Sequence, residues 1–135
     1  MAEHSPSTSP SITCGRQRRW NARITGDPEL DPPRWLARRH LAGRQGLRAV
    51  SLACGTGQQE RAWARLGCFA RIDAWDLSAP RITEARRSAL AEGLDGCLHF
   101  HVGDAFEIPV SPGSCDVVLV EGALHHFTPL ATLLA

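Results

Sequence analysis

The chain has 135 residues, enough for one domain with a modest core and too few for two. Hydrophobic residues make up 43% and charged residues 21%, which is typical of a soluble globular protein. No apolar run approaches the roughly 18 residues that a bilayer-crossing helix needs, so the sequence predicts no membrane span.

The net charge is only +1, but it is unevenly distributed. Residues 1–50 contain nine Arg and four acidic residues, whereas residues 51–135 contain six Arg and ten acidic residues. The early Arg cluster has no aromatic interleaving beyond Trp20, so we do not expect a nucleic-acid partner. The five cysteines show no metal-ligand spacing, and no signal peptide precedes them, which predicts reduced thiols, no metal site and a cytoplasmic location.

The first third of the chain shows little periodicity. Residues 1–19 are rich in Ser, Pro and Thr, which predicts a flexible tail. Residues 20–46 form a lead-in with a short helix over Pro33–Ala42, which begins at a proline and stops before Gly43. The remaining residues, 47–135, are predicted to form the functional domain.

From residue 47 onward, apolar strands alternate with helical patterns. The predicted elements are a strand Ala49–Cys54, a helix Gln58–Leu66, a strand Ala70–Asp76, a helix Ala79–Ala91, a strand Cys97–Val102 and a strand Asp116–Val120. The second helix has Ser78 as its predicted N-cap and an inward stripe of Ile82, Ala85, Ala89 and Leu90. This alternation over short connections predicts a parallel α/β sheet with right-handed crossovers.

The first strand stops in a glycine-containing loop, where Gly55 and Gly57 let backbone N–H groups approach a ligand. Asp76 ends the next strand 19 residues after Gly57, where a ribose-binding carboxylate is expected in a nucleotide-binding βαβ unit. A P-loop is excluded because the chain has no Lys. The dinucleotide fingerprint GxGxxG fails because its third glycine position is Glu60. A phosphate-free ligand with adenine, ribose and an amino-acid tail remains.

Four segments in order resemble the class I S-adenosylmethionine-dependent methyltransferases. They are AVSLACGTG, WDLSAPRITEARRSA, HVGDAFEIP and CDVVLVEGALHHF, and the similarity covers residues 47–128. The resemblance implies a Rossmann-like, doubly wound parallel sheet with strand order 3-2-1-4, which is incomplete beside the family's seven strands. It also implies S-adenosyl-L-methionine as the cofactor.

The resemblance implies a role for each matching residue. Asp76 would bind the ribose diol, and Asp104 with the Ala105 N–H would read the adenine edge. The other implied cofactor contacts are Gly55 and Gly57 at the methionine portion, Leu77 and Phe106 on the adenine faces, and Ser51, Ala53, Cys54 and Glu121 nearer the methionine end.

Two positions depart from the family pattern. Ser51 stands where the family usually has Asp or Glu, and Ala53 stands where it usually has Gly. Ser51 can accept a hydrogen bond but brings no charge, so we expect weaker cofactor binding. His125 and His126, just after the fourth strand, are the candidate catalytic bases.

The chain ends inside the helix expected after the fourth strand, which predicts a truncated domain whose fourth strand is an edge open to pairing with another chain. We expect methyl transfer to a small-molecule or saccharide acceptor. Two alternatives stay open: a non-catalytic cofactor-binding remnant or interaction module, and an NAD(P)-dependent oxidoreductase.

Overall fold

A computed structural model describes residues 15–108 and 110–120. Its elements are, in chain order, α1 (Gly15–Thr25), α2 (Pro32–His40), β1 (Leu47–Leu52), α3 (Gln58–Ala64), β2 (Phe69–Asp76), α4 (Ala79–Ala91), β3 (Leu98–Val102), a short 3₁₀ helix (Ala105–Glu107) and β4 (Val117–Leu119). Contacts divide the chain into two units, the first ending at Ala42 and the second beginning at Gly43.

The first unit contains α1 and α2. The structure differs here from the predicted flexible tail, because residues 15–19 form the first half of α1. Gln17 stabilises this helix by donating to Asn21 one turn later at 2.9 Å, and the buried Asn21 amide donates to the Pro28 carbonyl. Helix α2 begins after Asp31, whose carboxylate accepts the Arg34 N–H as an N-cap.

The second unit is built on a four-stranded parallel sheet of order β3-β2-β1-β4. This confirms the predicted parallel sheet and its strand order. The strand bounds shift by one or two residues, and β1 begins earlier than predicted because the Leu47 N–H donates to the Cys68 carbonyl at 3.0 Å.

Helices α3 and α4 pack against β2 and β3, and the core lies between them. Ile72, Ala74, Ile82 and Ala85 are fully enclosed there, and the Trp63 and Phe69 rings meet edge to face with centroids 6.0 Å apart. Three members of the predicted α4 stripe are buried, but Leu90 is 65% exposed, so its inclusion was wrong. Within the described residues, no helix has the length and apolar character to span a membrane.

Candidate functional site

The loop between β1 and α3, residues 53–57, places every second residue in a left-handed conformation. The φ angles are +55° at Ala53, +58° at Gly55 and +76° at Gly57. Glycine adopts this region freely, whereas an L-residue pays roughly 1–2 kcal/mol for it. Ala53 therefore carries backbone strain at the position where the resemblance expects glycine.

The two glycines of the loop serve different purposes. A Cβ on Gly57 would come within 2.7 Å of the Phe100 ring and 3.3 Å of Ala85, so Gly57 is needed for packing beneath the loop. A Cβ on Gly55 would meet nothing within 4 Å. Gly55 thus borders open space, which is the side of the loop that a ligand can approach.

Asp76 joins the end of β2 to the glycine loop. Its Oδ2 accepts the Gly55 N–H at 2.9 Å, and its Oδ1 accepts the Ser78 N–H at 2.9 Å. The Cys54 N–H also donates to the Trp75 carbonyl at 3.1 Å, so the loop continues alongside β2. The two features that the sequence placed 19 residues apart are therefore in direct contact.

The third segment of the site follows β3. Asp76 is in register with Val102, and the Gly103 N–H donates to the Asp76 carbonyl at 3.0 Å. A Cβ on Gly103 would approach the Trp75 ring to 2.8 Å, so this close passage requires glycine. The chain then turns at Asp104, whose Oδ1 accepts the Phe106 N–H at 2.9 Å.

We call residues 53–57, 76–78 and 103–106 together the loop edge. They lie at the carboxyl ends of three neighbouring parallel strands, the usual place for a ligand in an open α/β sheet. Two large apolar side chains are exposed there, Leu77 at 74% and Phe106 at 40%. The loop edge thus combines carboxylates with exposed apolar surface, a combination suited to a nucleoside.

A buried pair of polar side chains lies at the base of the loop. The Ser51 hydroxyl, on β1, donates to the Glu60 carboxylate, on α3, at 2.6 Å. Ser51 is 1% exposed and Glu60 is 4% exposed. Glu60 was not among the site residues predicted from the sequence, where it served only to exclude the dinucleotide fingerprint. Glu60 is the third residue of α3 and shares a helix face with the buried Trp63 and Ala64, and this spacing could have predicted that its side chain is buried.

The electrostatic environment of the loop is negative. Burial, together with the negative charges of Glu60 and Asp76, raises the pKa of the Cys54 thiol to about 12. Cys54 is therefore a neutral thiol, not a nucleophile, at physiological pH. Both carboxylates act on the same point of the loop, although they come from different elements.

Comparison with known proteins identifies the family. A family model described as a methyltransferase domain matches residues 49–135, which is well over half of the chain. The chain belongs to this methyltransferase family. The matched range includes the glycine loop, Asp76 and Asp104.

Individual methyltransferases resemble the chain over part of their length. A ubiquinone/menaquinone biosynthesis C-methyltransferase from Ruegeria sp. is 30% identical over 88 residues, 65% of this chain and 35% of the relative. The chain spans 35% of the length of this Ruegeria relative and 38% of the length of a second relative of the same name, from Dinoroseobacter shibae.

Two solved methyltransferase structures also match. A methyltransferase from Thiobacillus denitrificans, solved with S-adenosyl-L-homocysteine, is 34% identical with a TM-score of 0.52, over 59% of this chain and 32% of the other. A methyltransferase from Geobacter sulfurreducens, solved with the same ligand, is 26% identical with a TM-score of 0.59, over 70% of this chain and 37% of the other.

Three of the predicted site residues of this methyltransferase lie outside the described residues: Glu121, His125 and His126. Their roles stay predictions. The remaining predicted positions, from Ser51 to Phe106, lie at or directly beneath the loop edge. Within residues 15–108 and 110–120, no group of three or more His, Cys, Asp and Glu side chains could hold a metal ion.

Proposed function

We propose that the loop edge binds S-adenosyl-L-methionine and that the chain is the cofactor-binding part of a methyltransferase for a small-molecule acceptor. The observation that carries this proposal is the 2.9 Å contact between the Asp76 carboxylate and the Gly55 N–H. It unites the glycine loop and the strand-end carboxylate in one site, on a sheet of the family's strand order. The matched structures from Thiobacillus and Geobacter, each described as a complex with the demethylated cofactor, support the choice of ligand.

Asp76 is proposed to hold the ribose. A carboxylate offers about four lone-pair sites, and two at Asp76 are taken by the Gly55 and Ser78 N–H groups. These bonds fix the plane of the carboxylate and leave acceptor capacity for two hydroxyl donors. Hydrogen bonds from a sugar diol to a carboxylate are charge-assisted and therefore stronger than neutral ones.

Asp104 and its neighbours are proposed to hold the adenine. The Phe106 N–H orients the Asp104 carboxylate, which leaves the other oxygen available for the adenine amino group. The exposed side chains of Leu77 and Phe106 supply apolar surface for the two faces of the ring. The N–H of Ala105, which lies between Asp104 and Phe106 in the sequence, is the proposed donor to a ring nitrogen.

The open side of Gly55 is proposed to receive the amino-acid end of the cofactor, beside Ala53 and Cys54. Gly55 suits this role because it has no side chain and borders open space. The cofactor supplies the methyl group on a sulfonium, which makes it transferable without an activating metal. The protein's task is then to hold donor and acceptor in line and to accept a proton where the acceptor loses one. Glu121, His125 and His126 are the proposed groups at that end.

The acceptor is proposed to be a small molecule, including saccharides. The matched curated relatives are named for C-methylation in ubiquinone and menaquinone biosynthesis, which supports a small-molecule acceptor. Among the described residues β4 has a strand neighbour only at β1, and its other edge is the proposed place for pairing with another chain.

Calorimetry with two ligands tests the cofactor proposal. S-adenosyl-L-homocysteine should bind with one-to-one stoichiometry, and NADH should give no binding heat, because Glu60 stands at the third glycine position of the dinucleotide fingerprint. Binding of NADH alone would overturn the proposal in favour of an oxidoreductase. Transfer of radiolabel from the methyl-labelled cofactor to a panel of small acceptors separates a methyltransferase from a non-catalytic cofactor-binding module.

A further inference from the structure

Helix α1 carries a mixed stripe of arginine and large apolar side chains. Positions 16, 19, 20, 23 and 24 have the i, i+3, i+4, i+7 and i+8 spacing that places residues on one face of a helix. We call this face the α1 stripe, and its members are Arg16, Arg19, Trp20, Arg23 and Ile24. All five are exposed, Trp20 at 57% and Ile24 at 39%. A helix of a folded unit thus offers three guanidinium groups and two apolar side chains to a partner.

The other face of α1 is held by its own unit. The buried Asn21 amide donates to the Pro28 carbonyl at 3.0 Å and accepts a hydrogen bond from Gln17. The Thr25 hydroxyl lies 3.0 Å from the Leu30 carbonyl, to which it donates. These contacts fix the helix from one side, so the α1 stripe lies on the side that faces away from them.

The charge of the α1 stripe is not neutralised by its unit. Residues 15–42 contain seven Arg and three acidic residues, and none of the acidic residues lies in α1. Two of those acids are paired outside the stripe, Glu29 with Arg18 and Asp31 with Arg34. Among the residues that the structure describes, no carboxylate lies within ion-pair distance of the three stripe arginines. Their charges are therefore available to an anionic partner.

The apolar pair decides which anionic partner fits. Trp20 and Ile24 are one helical turn apart and lie side by side next to the arginines. A single-stranded nucleic acid would pair its phosphates with the guanidinium groups and stack one base on Trp20, but it would leave Ile24 in water. The headgroup region of an anionic bilayer accommodates both apolar side chains and pairs arginine with lipid phosphate. A lipid surface therefore uses the whole stripe.

We propose that the α1 stripe docks the chain on the surface of an anionic phospholipid bilayer. The helix lies in the plane of the interface, with Trp20 and Ile24 at headgroup depth and the three arginines of the stripe against lipid phosphates. At 11 residues α1 is too short to cross a bilayer, so the contact is confined to the surface. Docking is independent of the cofactor site, because α1 and the loop edge belong to different units.

Cosedimentation of the full chain with vesicles tests the docking. Vesicles that contain phosphatidylglycerol should bind about 100-fold more tightly than vesicles of phosphatidylcholine alone, since each guanidinium near an anionic surface changes the partition coefficient about fivefold. A rise in salt from about 0.1 M to about 1 M should weaken this binding, because the Debye length shortens from about 10 Å to about 3 Å. Equal binding to the two kinds of vesicle, or no binding to either, overturns the proposal.

Two double variants that remove the same net charge test the stripe. Arg19→Gln combined with Arg23→Gln should bind the anionic vesicles about 25-fold more weakly than the parent. Arg18→Gln combined with Arg34→Gln is the matched control, because both guanidinium groups lie outside the stripe and are paired with carboxylates of the same unit. The control should stay within about threefold of the parent. Equal losses would show a response to net charge alone and would overturn the assignment to the stripe.

The apolar contribution is tested at Trp20. Trp20→Ala should bind the anionic vesicles about tenfold more weakly, whereas Leu90→Ala, at a similarly exposed apolar residue of α4, should bind like the parent. Trp20→Phe keeps an aromatic ring and provides a second readout. Brominated lipid should quench the tryptophan fluorescence of the bound parent and not that of Trp20→Phe. Thermal unfolding establishes that each variant is folded. Equal effects of the two alanine variants, or quenching that survives Trp20→Phe, contradict the proposal.

A single-stranded oligonucleotide is the competing ligand. At equal phosphate concentration it should bind more weakly than the anionic vesicles. Tighter binding that the Arg19→Gln and Arg23→Gln variant loses would assign the stripe to nucleic acid and overturn the lipid proposal. The same variant should keep the parent's affinity for S-adenosyl-L-homocysteine, and a loss would overturn the independence of the two sites. Failure to bind vesicles leaves the proposed function intact, and failure to bind S-adenosyl-L-homocysteine overturns that function alone.

Discussion

Two carboxylates of β2, Asp73 and Asp76, are satisfied by different kinds of partner. Asp73 lies in a cluster with Arg71 and His101. The Arg71 guanidinium donates to its carboxylate twice, at 2.9 and 3.0 Å, and the His101 imidazole donates once, at 2.9 Å. Asp76 accepts two backbone N–H groups, and among the described residues no cationic side chain lies within ion-pair distance of it. We call Arg71, Asp73 and His101 the sheet-face cluster.

The difference separates a structural carboxylate from one available to a ligand. Burial alone raises the pKa of Asp73, but the hydrogen bonds and charge of Arg71, together with those of His101, outweigh it, so the pKa lies below its usual value. Its charge is neutralised inside the protein. Asp76 is oriented at the loop edge by two backbone N–H groups and not by a cationic side chain, which suits it to bind hydroxyl donors.

The largest expected effect comes from the packed glycine at the loop edge. Gly57→Ala should lower the free energy of unfolding by about 3 kcal/mol, because the new Cβ overlaps the Phe100 ring and the residue must keep φ at +76°. Gly55→Ala, the matched control, should cost only about 1 kcal/mol, since its Cβ meets no atom. Urea denaturation measures both, and equal losses would show that the two glycines are equivalent.

The comparison of the two carboxylates is tested directly by binding. Asp76→Ala should lower affinity for S-adenosyl-L-homocysteine by about 1.5–3 kcal/mol, the range for hydrogen bonds to a charged group. Asp73→Ala should leave that affinity unchanged, because its carboxylate is occupied by Arg71 and His101. Calorimetry on the two variants decides, and a similar loss for both would remove the functional distinction between them.

The strained alanine of the loop gives a smaller effect of opposite sign. Ala53→Gly should raise the free energy of unfolding by about 0.5–1 kcal/mol, because relief of the left-handed strain exceeds the added flexibility of the unfolded chain. Chemical denaturation is the measurement. A loss of stability would mean that the alanine methyl makes contacts worth more than the strain.

The smallest effect concerns the sheet-face cluster and pH. Because the pKa of Asp73 is lowered in the folded state, its ion pairs stabilise the fold above the unfolded pKa of about 3.9, and this stability is lost as pH falls through the folded value. The pairs are partly exposed, so Asp73→Asn should cost less than about 1 kcal/mol at pH 7. Denaturation at pH 7 and pH 3 should show the gap between variant and parent closing at the acidic end, and a constant gap contradicts the assignment.

Much of the framework could be predicted from local pattern. The alternation of strands and helices predicted the parallel sheet, and Ser78 was correctly predicted to cap α4, where its hydroxyl oxygen accepts the Arg81 N–H at 3.4 Å. Helix α1 was not predicted, since residues 15–19 were assigned to the tail and no helix was placed before Pro33. Its buried Asn21 donates to the Pro28 carbonyl, and periodicity does not register such a contact. Leu90 was placed in the core by spacing alone, although the burial of α4 ends at Ala89.

Local pattern was enough to predict the strands and helices of the second unit, and to predict that a glycine loop and an acidic residue end neighbouring strands, because these features depend on backbone preference and periodicity within a few residues. Three other features are visible only in the folded chain: the Asp76 carboxylate accepts the Gly55 N–H, Gly57 and not Gly55 is packed against Phe100, and the Ser51 hydroxyl donates to Glu60. Each of these is a contact between separate elements. Their partners are fixed by how the strands register and the helices pack, which no local pattern encodes.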